Sequence, residues 1–134
     1  MGPVNAEEHD AALGEQAVTL GPGFEAIVDD FVEYLELPRG LSPHTVRAYR
    51  GDLRELLAFL TEGSVTRLDD VGFADLRSWL ARMQRRGASA ATLQRRSVSC
   101  RVFFRWALQE QLVAHDPATG LKSPKVGRRG SPAL

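Results

Sequence analysis

Cysteine is almost missing from this 134-residue chain; Cys100 stands alone. An internal disulfide is therefore excluded, and a single thiol fits a reducing cytosol and a cytoplasmic location. The three histidines, His9, His44 and His115, are scattered and share no ligand spacing with Cys100, so neither a metal nor any other cofactor is expected. No apolar run is long enough to span a bilayer, and the N-terminus lacks the basic-then-apolar order of a secretory signal. Alternating, strand-like stretches are absent too, which leaves an all-α reading. Lysine is scarce, with two against 15 arginines, and residues 1–38 contain no base at all while holding nine of the 17 acids. All 17 bases thus fall in residues 39–134 against eight acids, so a net charge of zero conceals a balance of +9 there. That split points to a basic working surface behind an acidic lead-in. An arginine-rich composition also suits a high-GC genome, so the charge has to be read together with the helix pattern.

The pattern is clearest over Pro43–Leu60. Ser42 is a helix cap, and Pro43 occupies the first helical position, where its missing N–H costs nothing. Val46, Tyr49, Leu53, Leu56, Leu57 and Leu60 recur at three- and four-residue steps and form one apolar stripe. Opposite lie His44, Arg47, Ala48, Gly51 and Arg54, with Arg50 at the border. At about 100° per residue, Arg47, Arg50 and Arg54 fall within about 60° of one another. Arginines interleaved with small residues let a helix backbone come close to another surface, read here as duplex DNA.

Three more helices are expected around it. Phe24–Leu37 has Phe24, Ile27, Val28, Phe31 and Leu35 on its inner face and ends at Pro38. Phe73–Arg86 follows Gly72, with Asp75 in its first turn and Leu76, Trp79, Leu80 and Met83 inward; its basic last turn suits the helix dipole as well as it suits phosphate. Ser89 caps a fourth helix from Ala90 to about Gln111, with Leu93, Cys100, Phe103, Phe104, Ala107 and Leu108 inward. Gln94, Arg95, Val98, Arg101, Val102 and Arg105 point outward, where the valine methyls could meet bases in a groove. Trp106 lies off the stripe, at the core edge or toward a partner. Gly63 is available for a left-handed stop after the second helix, Val65–Val71 is a connection, and Asp116-Pro117 opens a short helical turn, Ala118–Leu121. The expected organisation is a disordered acidic segment over residues 1–23, broken by Gly21-Pro22-Gly23, then a compact bundle of four main helices over 24–121. A basic linker over 122–134 leads toward something further.

The order of these signals resembles the N-terminal core-binding domain of the Xer-type tyrosine recombinases, the XerC branch most of all. The resemblance runs through F-x-x-Y-L-x-x-x-x-G-L-S-P-H-T-V-R-A-Y-R-x-D-L (Phe31–Leu53), V-x-x-A-D-L-R-x-W-L (Val71–Leu80) and R-R-G-x-S-x-x-T-L-x-R-R (Arg85–Arg96). It continues with R-x-F-F-R-W (Arg101–Trp106) and D-P-A-x-G-L-x-x-P-K (Asp116–Lys125). It implies a SAM-like helical domain forming half of a clamp around a double-stranded recombination site, with the second and fourth helices in the major groove. It also implies XerD-like partner protomers in a tetramer on DNA and a role in chromosome-dimer resolution. Two positions depart from the family pattern. Gly51 replaces a basic or polar residue, at about 1 kcal/mol of helix stability, and Ala90 replaces a proline. The family's cleaving tyrosine and its phosphate-stabilising partners belong to a later domain. Tyr34 and Tyr49 do not match the nucleophile, so no catalytic residue is carried over and this chain alone is not expected to cut or join DNA.

The DNA-binding set expected from faces, caps and linker is His44, Thr45, Arg47, Arg50, Arg54, Thr92, Gln94, Arg95, Val98, Arg101, Arg105, Lys122, Lys125 and Arg128. The competing reading is a helical protein–protein module that mediates protomer assembly, for which the acidic first helix and Trp106 would serve. A helix-turn-helix repressor is the third reading and fits less well than these two.

Overall fold

Residues 19–125 are described by the computed structural model. They contain four main helices and no strand: α1 (Pro22–Glu36), α2 (Pro43–Glu62), α3 (Phe73–Arg85) and α4 (Ala90–Gln109). The all-α, SAM-like class expected from the sequence holds. The chain divides between Ser64 and Val65 into two compact units, each a helical hairpin.

In the first unit α1 packs on α2. Gly21-Pro22-Gly23 turns out to start α1 instead of breaking the chain. Gly21 is the N-cap and Pro22 the first helical residue, two positions before the expected start, and Leu20 is already buried. Phe24, Val28, Phe31 and Leu35 are buried, while Ile27, at the stripe edge, is half-buried. Past Leu37 the chain turns through Gly40 at φ 62°, a conformation a side chain would strain. Ser42 Oγ then accepts from Thr45 N–H at 3.2 Å, opening α2 as expected. Val46, Leu53, Leu56, Leu57 and Leu60 are buried and Tyr49 is half-buried. The stop differs from expectation. Gly63 has φ −85°, and it is Ser64 that takes the left-handed conformation, at φ 70°.

The second unit begins where a plain connection was expected. Leu68–Asp70 is a 3-10 turn that, with Val71, places two more apolar side chains in the interior. Asp75 accepts from Gly72 N–H at 2.8 Å, which fixes the start of α3, and Leu76, Trp79, Leu80 and Met83 are all buried. Gly87 (φ 90°) closes α3, with Gly87 N–H on Gln84 O and Ala88 N–H on Met83 O, both at 3.0 Å. Ser89 Oγ accepts from Thr92 N–H at 3.1 Å and starts α4, which packs on α3. α4 ends at Gln109, two residues short of expectation, with Gln111 at φ 62°. Leu108, expected inward, is 40% exposed, whereas Trp106 is buried beside Phe103 (5.9 Å between ring centroids). Val113, Ala118 and Leu121 are buried, so the chain after α4 folds back onto its unit. Ala118–Leu121 is a hydrogen-bonded turn instead of a helical one, set by Asp116 Oδ1 accepting from Ala118 N–H at 2.8 Å.

The expected disordered segment and basic linker lie outside the described residues for 1–18 and 126–134, as does Arg128. No helix among the described residues is long and apolar enough to cross a membrane.

Candidate nucleic-acid interface

The first half of α2 presents the surface its periodicity implied. His44 and Arg47 are exposed, and Thr45, Ala48, Arg50 and Gly51 are half-buried. No acid lies between His44 and Gly51. Thr45 carries two contacts from Ser42, whose Oγ accepts from the Thr45 backbone and donates to Thr45 Oγ1 at 3.1 Å. The threonine hydroxyl keeps its own proton to donate to a further acceptor, at a helix end whose dipole favours anions.

Arg54 leaves the set. It sits on the same helical face as Arg47, two turns on, but it is buried. Its guanidinium grips Glu25 of α1 through both carboxylate oxygens, Nη1–Oε1 at 2.6 Å and Nη2–Oε2 at 3.1 Å. The hairpin explains why. Glu25 lies as many residues before the end of α1 as Arg54 lies after the start of α2, so antiparallel packing brings them level. Helical period fixes the angle of a side chain around the axis but says nothing of which length of helix a neighbour covers. The hydrogen bonds from Arg54 hold the Glu25 carboxyl below its ordinary range. Partial burial opposes this, and the charges of Arg54 and Arg50 reinforce it. Asp52, also buried, was another residue the pattern missed.

The second unit is more one-sided in charge. Residues 76–109 contain eight arginines and no acid. On α4, Arg95 and Arg105 are exposed, and Val98 and Val102 are half-buried, as outward positions flanked by long side chains should be. Thr92 repeats the arrangement at Thr45, with Ser89 Oγ donating to its hydroxyl at 3.1 Å. Gln94 and Arg101, two turns apart on the same edge of α4, are engaged by the returning chain. Gln94 Oε1 accepts from Ser123 Oγ at 3.1 Å, and Arg101 Nη1 donates to Leu121 O at 2.6 Å. Nothing in the periodicity of α4 signalled these partners, because they come from an irregular segment. Lys122 and Lys125 are exposed. Asp69, Asp70, Asp75 and Glu110 lie at the opposite end of this hairpin, where α3 begins and α4 ends.

Other chemistry has little to work with. Burial drives the Cys100 thiol above its ordinary range, with the Asp116 carboxylate adding to the shift and Arg101 opposing it. Tyr34 is half-buried beside Phe31 (ring centroids 6.2 Å apart). No group of three or more His, Cys, Asp or Glu among the described residues could hold a metal ion.

Residues 28–111 match the family described as phage integrase, N-terminal SAM-like domain. The chain is 47% identical over 110 residues to "Tyrosine recombinase XerC" of Mycobacterium tuberculosis (strain ATCC 25177 / H37Ra), a stretch covering 82% of this chain and 36% of that protein. It is 43% identical over 111 residues to the like-named protein of Mycobacterium sp. (strain JLS), covering 82% and 37%. The chain therefore spans little more than a third of the length of these relatives. No solved structure matches it.

Proposed function

Because the chain belongs to the phage integrase N-terminal SAM-like domain family, we propose that it binds duplex DNA at a recombination site, as the N-terminal half of the clamp of a tyrosine recombinase. The observation that carries this is α4 itself: 20 residues with four arginines and no acid, two of the arginines exposed. The first half of α2 contributes His44, Arg47 and Arg50. Thr45 and Thr92 hold phosphates at the two helix starts, which fixes register without reading sequence. Base reading falls to His44, Arg47 and Arg50 on α2 and to Arg95, Val98 and Arg105 on α4. Phosphate contacts supply most of the affinity and make it depend on salt. In this reading the cutting and joining of strands belong to a catalytic domain, XerD-like protomers complete a tetramer on the DNA, and chromosome-dimer resolution in the cytoplasm is the task.

The test is a titration of labelled duplex at two salt concentrations, followed by NMR shift mapping. Salt-sensitive binding with shifts over His44–Gly51, Gln94–Arg105 and Lys122–Lys125 is the expected outcome. A folded sample that ignores DNA even at low salt removes the proposal. A second reading, protomer assembly, is favoured by the apolar side chains of Phe73, Leu108 and Leu112, exposed at 41%, 40% and 36%. Self-association that persists without DNA and at high salt would favour it, and the two roles are compatible.

A further inference from the structure

The chain after α4 does not leave its unit directly. It runs back along α4 from the C-terminal end to the N-terminal end, tied at successive points. Ala114 N–H donates to Asp69 Oδ1 at 2.8 Å, near the start of α3. Leu121 O then meets Arg101, and Ser123 meets Gln94 two turns nearer the N-terminus of α4. Finally Gln84 Nε2, in the last turn of α3, donates to the carbonyl of Lys125 at 2.7 Å. The tie from Gln84 spans 41 residues of sequence and holds backbone, so it fixes position without specifying the side chain that is carried.

The side chains carried are lysines, and they arrive at the basic end of the unit. The turn 86–89 joins the end of α3 to the start of α4, so Arg85, Arg86, Arg95 and Arg96 share that end with Lys122 and Lys125. Bringing two more cations there costs electrostatic repulsion, which an anionic partner would reverse. Gln84 is neutral and could form its bond only by bringing the strap to this place. From this we infer that Gln84 is a positioning residue for DNA binding, holding the 121–125 strap so that Lys122 and Lys125 meet phosphates without first having to be ordered. Arg101 and Gln94 serve the same strap and do not read bases. The inference rests on the DNA-binding reading above and adds the linker to that surface as a preformed part.

The experiment is a double-mutant cycle on the full chain, pairing Gln84→Ala with Lys122→Ala/Lys125→Ala, with duplex affinity and backbone ¹⁵N relaxation as readouts. Gln84→Ala should raise the mobility of Ser123–Lys125, leave the melting temperature close to that of the parent, and weaken binding about three- to tenfold through lost pre-ordering. Removing the two lysines should lower the salt slope by about two units. In that background Gln84→Ala should cost nothing further, because it acts only through the lysines; a merely structural role would cost the same in both backgrounds. A parent chain that binds DNA, with a Gln84→Ala variant that loosens the strap and keeps its affinity, overturns the positioning role alone. Tighter binding by the variant also overturns it, and would make the strap a cover that DNA displaces. A parent chain that binds no DNA overturns the function proposal, and this inference with it.

Discussion

The two hairpins begin their long helices in the same way and then use their arginines differently. Arg39-Gly40-Leu41-Ser42-Pro43-His44-Thr45 and Arg86-Gly87-Ala88-Ser89-Ala90-Ala91-Thr92 each place a left-handed glycine and a serine cap ahead of a 20-residue helix, and a threonine in its first turn. The cap distances agree to 0.1 Å, at 3.2 and 3.1 Å. Beyond the caps they part. In α2 the arginine two turns past Arg47 is buried against a carboxylate of its own hairpin, whereas Arg101, at the corresponding position of α4, donates to a backbone carbonyl. The first hairpin neutralises positive charge to hold itself together. The second uses hydrogen bonds to position the chain that follows.

The comparison can be broken at several points. Leu57→Ala in α2 and Leu93→Ala in α4, both fully buried, should each cost about 2–5 kcal/mol, measurable by urea unfolding; a much smaller loss in one would mean that its hairpin relaxes around the cavity. Next in size is recognition. Arg47→Ala and Arg95→Ala should each weaken duplex binding by about 1–3 kcal/mol, and if either reads a base it should also relax preference at one position of the site. A panel of single-base variants of the duplex separates base reading from phosphate contact.

Glu25→Gln comes third, at about 1–2 kcal/mol at neutral pH, less than for a fully buried pair because the carboxylate side chain is 40% exposed. The Glu25 carboxyl titrates below its ordinary value of 4.5 in the folded chain. Its contribution is therefore complete above that value and is lost as the pH falls through the folded one. Parent and variant should thus converge in stability on acidification, and a gap that stayed constant with pH would mean the pair does not titrate as drawn. The smallest effect sharpens the likeness of the two hairpins. Ser42→Ala and Ser89→Ala should each cost about 1 kcal/mol and by similar amounts, since each serine satisfies one helix-start N–H in the same geometry.

How much could be read in advance follows from what periodicity encodes. The four helices, the two serine caps and the inner faces of α1 and α3 were legible, because burial repeats with the turn of the helix and caps sit beside the residues they cap. Arg54 was misread for the opposite reason: its partner Glu25 is 29 residues away, and only the hairpin brings them level. Leu108 misled because α4 ends one residue later, so the stripe had run past the structure that would cover it. The strap had no period at all. Lys122 and Lys125 stood out as basic residues, but Gln84, an uncharged residue in a basic helix end, carried no signal that it reaches a carbonyl 41 residues on.

The folded-back segment also changes where this domain can be cut. The family match ends at residue 111, yet Val113, Ala118 and Leu121 are buried at 4%, 1% and 1% exposure. A fragment ended at the family boundary would remove these side chains from the interior of the second unit, at roughly 1.5–3 kcal/mol for each of the valine and the leucine, and would leave apolar surface of that unit uncovered. Such a fragment invites aggregation, and poor behaviour on its part would say little about the intact domain. Expression boundaries, domain swaps and fusions are better placed after Lys125.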